Sequence, residues 1–374
     1  MNTIIPVENG NVLAALRSFL QNLFKAGVVD ALYVPMETAH GAVIPALVTD
    51  SARLEHANPL APVMPINGAR AVSALTGKHT PEHLGVVLRP CEARALIELV
   101  KLQQASLENL ILISMDCAGT YEVAAYSKKQ KNGGFDLPGY LAAAKEAKEP
   151  ALEGLALRNA CLMCVQPLPT DAAAIQLQLF GADISAGIPV KIEDGLAERL
   201  QMPAGGDEPA GRKAAIEQVV GRHKQVRDKE LGAIRLSMTS DGGIAGLFDT
   251  CIRCHNCMTA CPICYCKTCL FKTASFDHLP EHYLTAAKRK GAVRMLGDTL
   301  LFHMTRLNHM SASCVSCGMC TSACPSEIQV GAVFSAIGEQ VQAAFSYVPG
   351  RDLGEPLPLI TFQANEWTEV GEAK

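Results

Sequence analysis

The chain has 374 residues, which is enough for two or three domains with their own hydrophobic cores. Its apolar fraction of 49% is that of an ordinary globular protein, and its net charge of -4 excludes the strongly basic field expected of a nucleic-acid-binding protein. No apolar stretch reaches the roughly 18 to 20 residues that a membrane-spanning helix needs. Met1–Pro6 lacks the positive charge that begins a secretory signal, so we expect a cytoplasmic protein.

Residues 1–201 alternate short apolar runs with stretches of helical periodicity. Strands are predicted at Ala31–Val34, Leu84–Leu88 and Asn109–Ser114. Helices are predicted at Val12–Lys25, Glu92–Gln103 and Tyr140–Ala147. Strands that alternate with helices are typical of an α/β layer whose strands are at least partly parallel. We therefore assign residues 1–201 to an α/β domain.

The rest of the chain divides into three segments by composition. Residues 202–240 begin with a linker rich in Gly, Pro and acidic residues, Met202–Gly211, and continue as a charged helix from Arg212 to about Leu236. Residues 241–345 contain most of the cysteines and a strongly helical insert predicted from Glu281 to Met310. The Pro-rich tail, residues 346–374, is expected to be extended and to lie over another domain or a partner.

Fifteen cysteines fall into three groups and decide the class of protein. Four are spread through the N-terminal half, seven lie between Cys251 and Cys269, and four lie between Cys314 and Cys324. Disulfides are one explanation of such a count. Without an export signal, however, a reducing compartment favours metal binding.

Two cysteine runs follow the C-x-x-C-x-x-C-x-x-x-C-P pattern of [4Fe–4S] ligands. The first run contains Cys251, Cys254, Cys257 and Cys261, and the second contains Cys314, Cys317, Cys320 and Cys324. Three cysteines with this spacing can hold one face of a cubane, whereas the fourth thiolate must come from farther away. In a two-cluster arrangement the last cysteine of each run serves the other cluster. We therefore assign Cys324 to the cluster of the first run and Cys261 to that of the second.

Neighbouring residues support this interpretation over a zinc site, which usually takes two C-x-x-C pairs. Pro262 and Pro325 lack an amide donor and suit the turn that leads away from a cluster. Asn256 and Gly318 are expected to take the positive φ that lets backbone amides point at sulfur. His255 is expected beside the cluster or facing solvent, because four thiolates already complete the site. The 52 residues between Cys261 and Cys314 look mostly helical, which favours an α-helical ferredoxin module over a compact ferredoxin.

Seven further cysteines suggest more than two clusters. Three of them could supply part of a further cluster or contacts that tune the first, although no fourth ligand is evident: Cys264, Cys266 and Cys269. Cys91 and Cys117 each follow a predicted strand, at the edge where open α/β sheets place their functional crevices. With Cys161 and Cys164, which form a C-x-x-C, they make a third cubane possible. The alternative is that these four are buried, unreactive thiols.

A flavin is a separate hypothesis. Arg89 and Arg94 flank Cys91 in the turn RPCEARA and could hold an anionic flavin ring or a phosphate, or they could be surface charges or ion-pair partners. No G-x-G-x-x-G follows a predicted strand, so no dinucleotide-binding fingerprint supports the flavin. No residue is singled out as catalytic.

Taken together, these motifs resemble the beta subunit family of deazaflavin-reducing hydrogenases and formate dehydrogenases, in the formate dehydrogenase beta branch. The matching stretches cover most of residues 25–350 and are VVLRPCEARAL, SMDCAGTYE, ACLMC-VQPLP with GADIS after it, CIRCHNCMTACPICYCKTC, and LGDTLLFHMTRLNHMSASCVSCGMCTSACP with FSYVPG beyond. The resemblance implies FAD in the N-terminal domain, several [4Fe–4S] clusters and a place in a larger redox complex. Such subunits pass electrons between a flavin, which exchanges hydride with a soluble carrier such as a deazaflavin, and a catalytic partner. That partner is a formate dehydrogenase, a hydrogenase or a heterodisulfide-reductase-like unit.

One departure from the family pattern concerns the flavin. Many relatives have a Gly-Gly pair where the first helix opens, and here the stretch is Glu8-Asn9-Gly10-Asn11. The leading hypothesis is a flavin- and iron–sulfur-dependent oxidoreductase subunit. The alternatives are a flavin-free electron-wire or scaffold subunit and a zinc-stabilised binding module.

Overall fold

The computed structural model describes residues 1–358 except 78–81, 151, 153, 204 and 296. A mixed seven-stranded sheet forms the centre of the N-terminal region, in the spatial order β1-β7-β6-β5-β4-β2-β3. The strands are β1 (Asn2–Pro6), β2 (Ala31–Glu37), β3 (Val43–Val48), β4 (Leu84–Leu88), β5 (Leu110–Met115), β6 (Ile175–Leu177) and β7 (Gly187–Ile192). The pairs β2–β4, β4–β5 and β5–β6 are parallel, and the outer pairs are antiparallel. The predicted α/β layer with partly parallel strands is therefore present.

The central strand β4 is buried along its whole length because both faces of the sheet are covered. Its side chains alternate between two cores: Val87 packs into one, whereas Val86 and Leu88 pack into the other. The second core also contains residues from the cysteine-rich region, among them Phe302 and Val315. One face of the sheet layer is thus continuous with the region that holds the two cysteine runs.

Seven helices of the α/β region surround this sheet in the described residues. They are α1 (Val12–Lys25), α2 (Gly68–Thr76), α3 (Pro90–Lys101), α4 (Val123–Lys131), α5 (Leu137–Lys145), α6 (Asn159–Leu162) and α7 (Asp194–Arg199). Asn11 caps α1 by accepting a hydrogen bond from the amide of Ala14 at 3.0 Å, and Pro90 occupies the first position of α3, where its missing N–H costs nothing. The predicted helix Val12–Lys25 has the bounds that the pattern indicated.

The regular secondary structure of residues 212–345 is helical in the described part, and loops connect its helices. Its helices are α8 (Arg212–Thr239), α9 (Gly243–Gly246), α10 (Asn256–Ala260), α11 (Pro280–Lys290), α12 (Thr299–Met310), α13 (Met319–Ser322) and α14 (Val330–Ala344). Short 3-10 turns occur at Ser51–His56 in the α/β region and at Leu270–Lys272 and Ala274–Phe276 here. The helical insert predicted from Glu281 to Met310 contains two helices, α11 and α12, and Gly291, at φ 80°, ends α11.

Two segments tie the regions together. Helix α8 packs Ala215 and Val219 into the core of the α/β region, and its later residue Leu231 packs with Ala332 and Ala336 of α14. The C-terminal segment lies over α3, where Gly350 donates its amide to Oε1 of the buried Glu98 at 2.8 Å and the Tyr347 hydroxyl donates to the same oxygen. Residues 359–374, the rest of the predicted extended tail, lie outside the described residues.

None of the described helices is both long enough and apolar enough to span a membrane.

Candidate iron–sulfur centres

The two cysteine runs share one backbone conformation. In each run, the residue before and the residue after the second cysteine have positive φ: Arg253 (55°) and His255 (62°) in the first, Ser316 (57°) and Gly318 (70°) in the second. Gly318 is as predicted, whereas the prediction for Asn256 was wrong, because α10 begins at that residue and its predecessor makes the left-handed turn. Two such turns aim backbone amides inwards, as a cluster-binding loop requires.

The first set consists of Cys251, Cys254, Cys257 and Cys324, which the structure brings together although Cys324 belongs to the second run. Burial raises the pKa of the Cys257 thiol, and negative charge on the other three raises it further. Two nitrogens lie close to the sulfur of Cys251: the Arg253 amide, which donates at 3.4 Å, and Nε2 of His303 at 3.3 Å. Arg306 donates from Nη1 to the Cys257 sulfur at 3.0 Å. These contacts surround the thiols with donors that a cluster needs at its sulfurs.

The second set consists of Cys314, Cys317, Cys320 and Cys261. Burial raises the pKa of the Cys314 thiol to about 12, and charges on Cys261 and Cys317 add to the rise. Burial also raises the pKa of Cys320, which feels the charges of the same neighbours. Cys324 thus lies near the thiols of the first run and Cys261 near those of the second, and their assignment as crossed ligands stays a prediction. Thiols crowded in this way ionise poorly alone, so a bound cation would stabilise their thiolate forms.

The α/β set consists of Cys91, Cys117, Cys161 and Cys164, at the carboxyl edge of the sheet. These four residues line one cavity together with Cys317 of the second set. The amide and hydroxyl of Thr120 both lie 3.3 Å from the Cys161 sulfur, and Arg89 donates from Nη1 to Cys117 at 3.8 Å. Burial raises the pKa of Cys91, and charges on Cys317, Cys117 and Cys164 raise it further. Four thiols around one cavity with N–H donors at their sulfurs fit a cubane, and Cys317 brings the second set next to it.

The three remaining cysteines follow the first run, and two of them, Cys264 and Cys269, are partly buried. Burial raises the pKa of Cys264, and charges on Cys266 and Cys269 contribute to the rise. Cys266 is exposed, and the Cys269 sulfur lies 3.7 Å from Sδ of Met258. The structure brings these thiols near one another, and their part in a further cluster stays a prediction. No group of three or more Cys, His, Asp or Glu side chains within the described ranges is arranged to hold a single metal ion.

The two arginines predicted near a flavin are both buried, so neither is a surface charge. Arg89 donates from Nη2 to the carbonyl of Ala61 and lines an apolar cavity at the end of β2 and β4, opposite Tyr33. Arg94 faces the other way: its Nη2 donates to the carbonyl of Val315, in the second run, at 3.0 Å. Arg89 is thus placed beside both the α/β set and a cavity, and the flavin contact of Arg94 stays a prediction.

Sequence reasoning missed three side chains that contact the cysteine sets: Arg158, His303 and Arg306. His303 stacks on Phe248 with ring centroids 3.8 Å apart, and burial lowers its pKa to about 3, so its ring is neutral near pH 7. His255, by contrast, stacks on Phe302 beside the first set as expected. The sequence could have indicated two of these side chains, because His303 and Arg306 are polar residues on the face of α12 that is mainly apolar and buried.

Comparison with known proteins supports the metal centre. A family model described as "4Fe-4S dicluster domain" matches residues 246–328, which include both cysteine runs. Residues 246–328 therefore form a region similar to a 4Fe-4S dicluster domain.

Whole-chain comparisons confirm the resemblance found in the sequence. Over an alignment of 387 positions covering 95% of each chain, the protein is 25% identical to the F420-dependent formate dehydrogenase subunit beta of Methanocaldococcus jannaschii. It is 24% identical over 380 positions, or 92% of each chain, to the F420-dependent formate dehydrogenase 1 subunit beta of Methanococcus maripaludis. Among solved structures, a chain of the F420-reducing [NiFe] hydrogenase complex from Methanosarcina barkeri aligns with a TM-score of 0.42 at 11% identity, over 62% of this chain and 92% of that one.

Proposed function

We propose that this chain, a relative of F420-dependent formate dehydrogenase beta subunits, is an electron-transfer subunit of a flavin- and iron–sulfur-dependent oxidoreductase complex. The observation that carries the proposal is similarity along 95% of the chain combined with a dicluster domain at residues 246–328. The catalytic partner would be a formate dehydrogenase, a hydrogenase or a heterodisulfide-reductase-like unit. Residues 1–201 would form the flavin domain, and residues 241–345 the helical ferredoxin domain.

The chain would hold three clusters in a row. Cys261 and Cys324 would each cross to the other run, which places the first and second sets side by side. The second set in turn adjoins the α/β set, because Cys317 lies at the cavity that Cys91 lines and its charge raises the Cys91 pKa. When bound, the clusters relay single electrons, and a flavin exchanges them in pairs as hydride. Because the second set adjoins both of the others, this arrangement supports a path for electrons from the α/β set at the sheet edge, through the second set, to the first set.

FAD would bind at the sheet edge, where Tyr33 and Arg89 line a narrow cavity that would have to widen to admit the ring. Its walls include Pro35, Val43 and Met64, which are suited to an apolar ring. The Tyr33 hydroxyl is buried there without a hydrogen-bond partner among the described residues. A buried polar group in this state indicates a missing acceptor or donor, which a flavin ring would supply. Arg89 lies between this cavity and Cys117, so the residues here fit a flavin next to the α/β set.

The alternative is an iron–sulfur subunit without flavin that connects two other subunits. The cavity beside Tyr33 favours the flavin, whereas Glu8-Asn9-Gly10-Asn11 departs from the family pattern at the first helix. The carrier would be a deazaflavin, by analogy with the names of both relatives.

The experiment is anaerobic purification of the native complex that contains this chain. We expect iron, acid-labile sulfide and about one flavin per chain, released on denaturation, and reduction of the deazaflavin coenzyme F420 with formate as donor. Iron and sulfide without flavin would select the flavin-free alternative. Zinc without sulfide would overturn the proposal altogether.

A further inference from the structure

Two arginines outside every ligand set are buried where neighbouring sets meet. Arg306, on α12, is 3% exposed, and Arg158, just before α6, is 4% exposed. Burying a guanidinium is costly unless nearby negative charge and hydrogen bonds compensate it. The identity of that compensating charge indicates what each arginine does.

Arg306 lies between the first and second sets. It donates from Nη1 to the sulfur of Cys257 at 3.0 Å and from Nη2 to the carbonyl of the same residue at 3.1 Å. Its guanidinium also interacts electrostatically with Cys261 and Cys320, two thiols of the second set. One guanidinium therefore acts on thiols of both C-terminal sets.

No carboxylate pairs with Arg306 in the part of the chain that the structure describes. Its guanidinium lies instead over the ring of Phe334, 4.8 Å from the centroid, and 5.5 Å from that of Phe302. The thiolates of the two sets are the negative groups that its charge faces.

Arg158 lies between the second set and the α/β set. Its Nη2 donates to the carbonyl of Cys317 at 3.0 Å, and its Nη1 donates to the Thr120 hydroxyl at 3.3 Å, which itself lies 3.3 Å from the Cys161 sulfur. Its one described carboxylate, Glu122, lies 3.8 Å away and is half exposed, so solvent weakens that pairing. Arg158 is thus a buried cation between the second set and the α/β set, as Arg306 is between the first and second sets.

We propose that Arg306 and Arg158 are positioning residues for electron transfer, each a fixed positive charge that stabilises the reduced clusters on both of its sides. Reduction adds one negative charge to a cluster, and a desolvated cation close to the thiolates favours that charge. Because each guanidinium is shared, its removal is expected to lower two midpoint potentials together. This inference rests on the proposed function, since it requires a cluster at each set.

The test is a redox titration of the full chain, purified anaerobically and monitored by EPR. The signals are assigned with Cys→Ser variants of each set. Arg306→Gln is expected to lower the midpoints of the first and second clusters, and Arg158→Gln those of the second and α/β clusters. Arg306→Lys, which keeps the charge, is expected to fall between Arg306→Gln and the wild type. The control is Arg199→Gln, whose side chain bonds the Gly27 carbonyl at the opposite edge of the sheet, and it should leave every midpoint unchanged.

Two results would overturn the inference. The first is unchanged midpoints, or a shift of a single cluster, in glutamine variants that keep the full iron content. The second is loss of iron in Arg306→Gln together with full iron content and wild-type midpoints in Arg306→Lys, because the arginine would then act only in cluster assembly. Loss of iron in both Arg306 variants would overturn the inference for the same reason. A wild-type protein without three EPR signals would instead refute the cluster assignment in the proposed function.

Discussion

Asp116 and Arg212 form a two-pronged ion pair that joins the end of β5 to the first turn of α8. Arg212 donates from Nη2 to Oδ1 at 2.9 Å and from Nη1 to Oδ2, and the same carboxylate accepts the amides of Leu179 and Phe180. The Asp116 side chain is fully buried. Because Cys117 follows it directly, this pair fixes the turn that presents a thiol of the α/β set while anchoring the helix that reaches the ferredoxin region.

Replacing Asp116 by Asn should therefore destabilise the protein strongly. The substitution leaves the buried Arg212 with only the exposed carboxylate of Glu208, 3.2 Å from its Nε, and losing the buried partner costs about 3 kcal/mol. Urea unfolding measures the loss. The matched control is Asp228→Asn, which breaks the exposed pair with Lys224 on the same helix and should cost at most about 0.5 kcal/mol. Similar costs for the two variants would refute the anchoring role.

Gly318 should tolerate no side chain, because the second run packs directly on α6. A Cβ at this position would lie 2.3 Å from Cβ of Ala160, and φ is 70°. Gly318→Ala is expected to cost about 2 kcal/mol or more, since the left-handed backbone alone costs roughly 1 to 2 kcal/mol. Thermal unfolding compares it with Gly232→Ala in α8, where nothing lies within 4 Å and the helix should gain up to about 1 kcal/mol. A stable Gly318→Ala protein would contradict this contact.

Tyr126 should make stability fall in alkaline solution. Burial, followed by the charge of Glu37, raises the pKa of its hydroxyl from 10.0 to about 12. The unfolded chain then loses this proton first, so stability falls as pH rises from about 10 to 12. At pH 11 this titration lowers the free energy of unfolding by about 1.4 kcal/mol relative to neutral pH, which corresponds to one pKa unit.

The Tyr126→Phe variant lacks this titration. At neutral pH it should be less stable than the wild type by about 1 kcal/mol, because it loses a buried hydrogen bond. Between pH 9 and 11 the gap should close, as followed by urea unfolding in circular dichroism. A gap that stays constant over this range would mean that the hydroxyl ionises normally in the folded protein.

The α/β set should hold one cubane. Replacing Cys161 and Cys164 together by Ser is expected to lower bound iron by about four atoms per chain. Metal analysis after anaerobic reconstitution gives the count, and Cys266→Ser provides the comparison because that thiol is exposed and belongs to none of the three sets. Unchanged iron in the double variant would refute the third cluster. A loss in Cys266→Ser would indicate a fourth one at the surface.

The sequence located the two cysteine runs of the dicluster region because cluster geometry fixes their spacing. It also located β4 and α1, whose apolar periodicity is regular. Short strands such as β6, with three residues, were missed because they contain too few residues for a period. Arg158 and Arg306 were missed for a different reason. Although the position of Arg306 on the buried face of α12 marks it as unusual, the proposed role of each arginine depends on which sets it separates, and tertiary packing decides that.

The measurement that tests the account most directly is the iron and acid-labile sulfide content of the wild-type chain in its anaerobically purified complex. Three cubanes predict about twelve of each per chain. About eight of each, with EPR signals from the dicluster domain alone, would leave the sheet edge without a cluster and contradict a continuous path from flavin to partner.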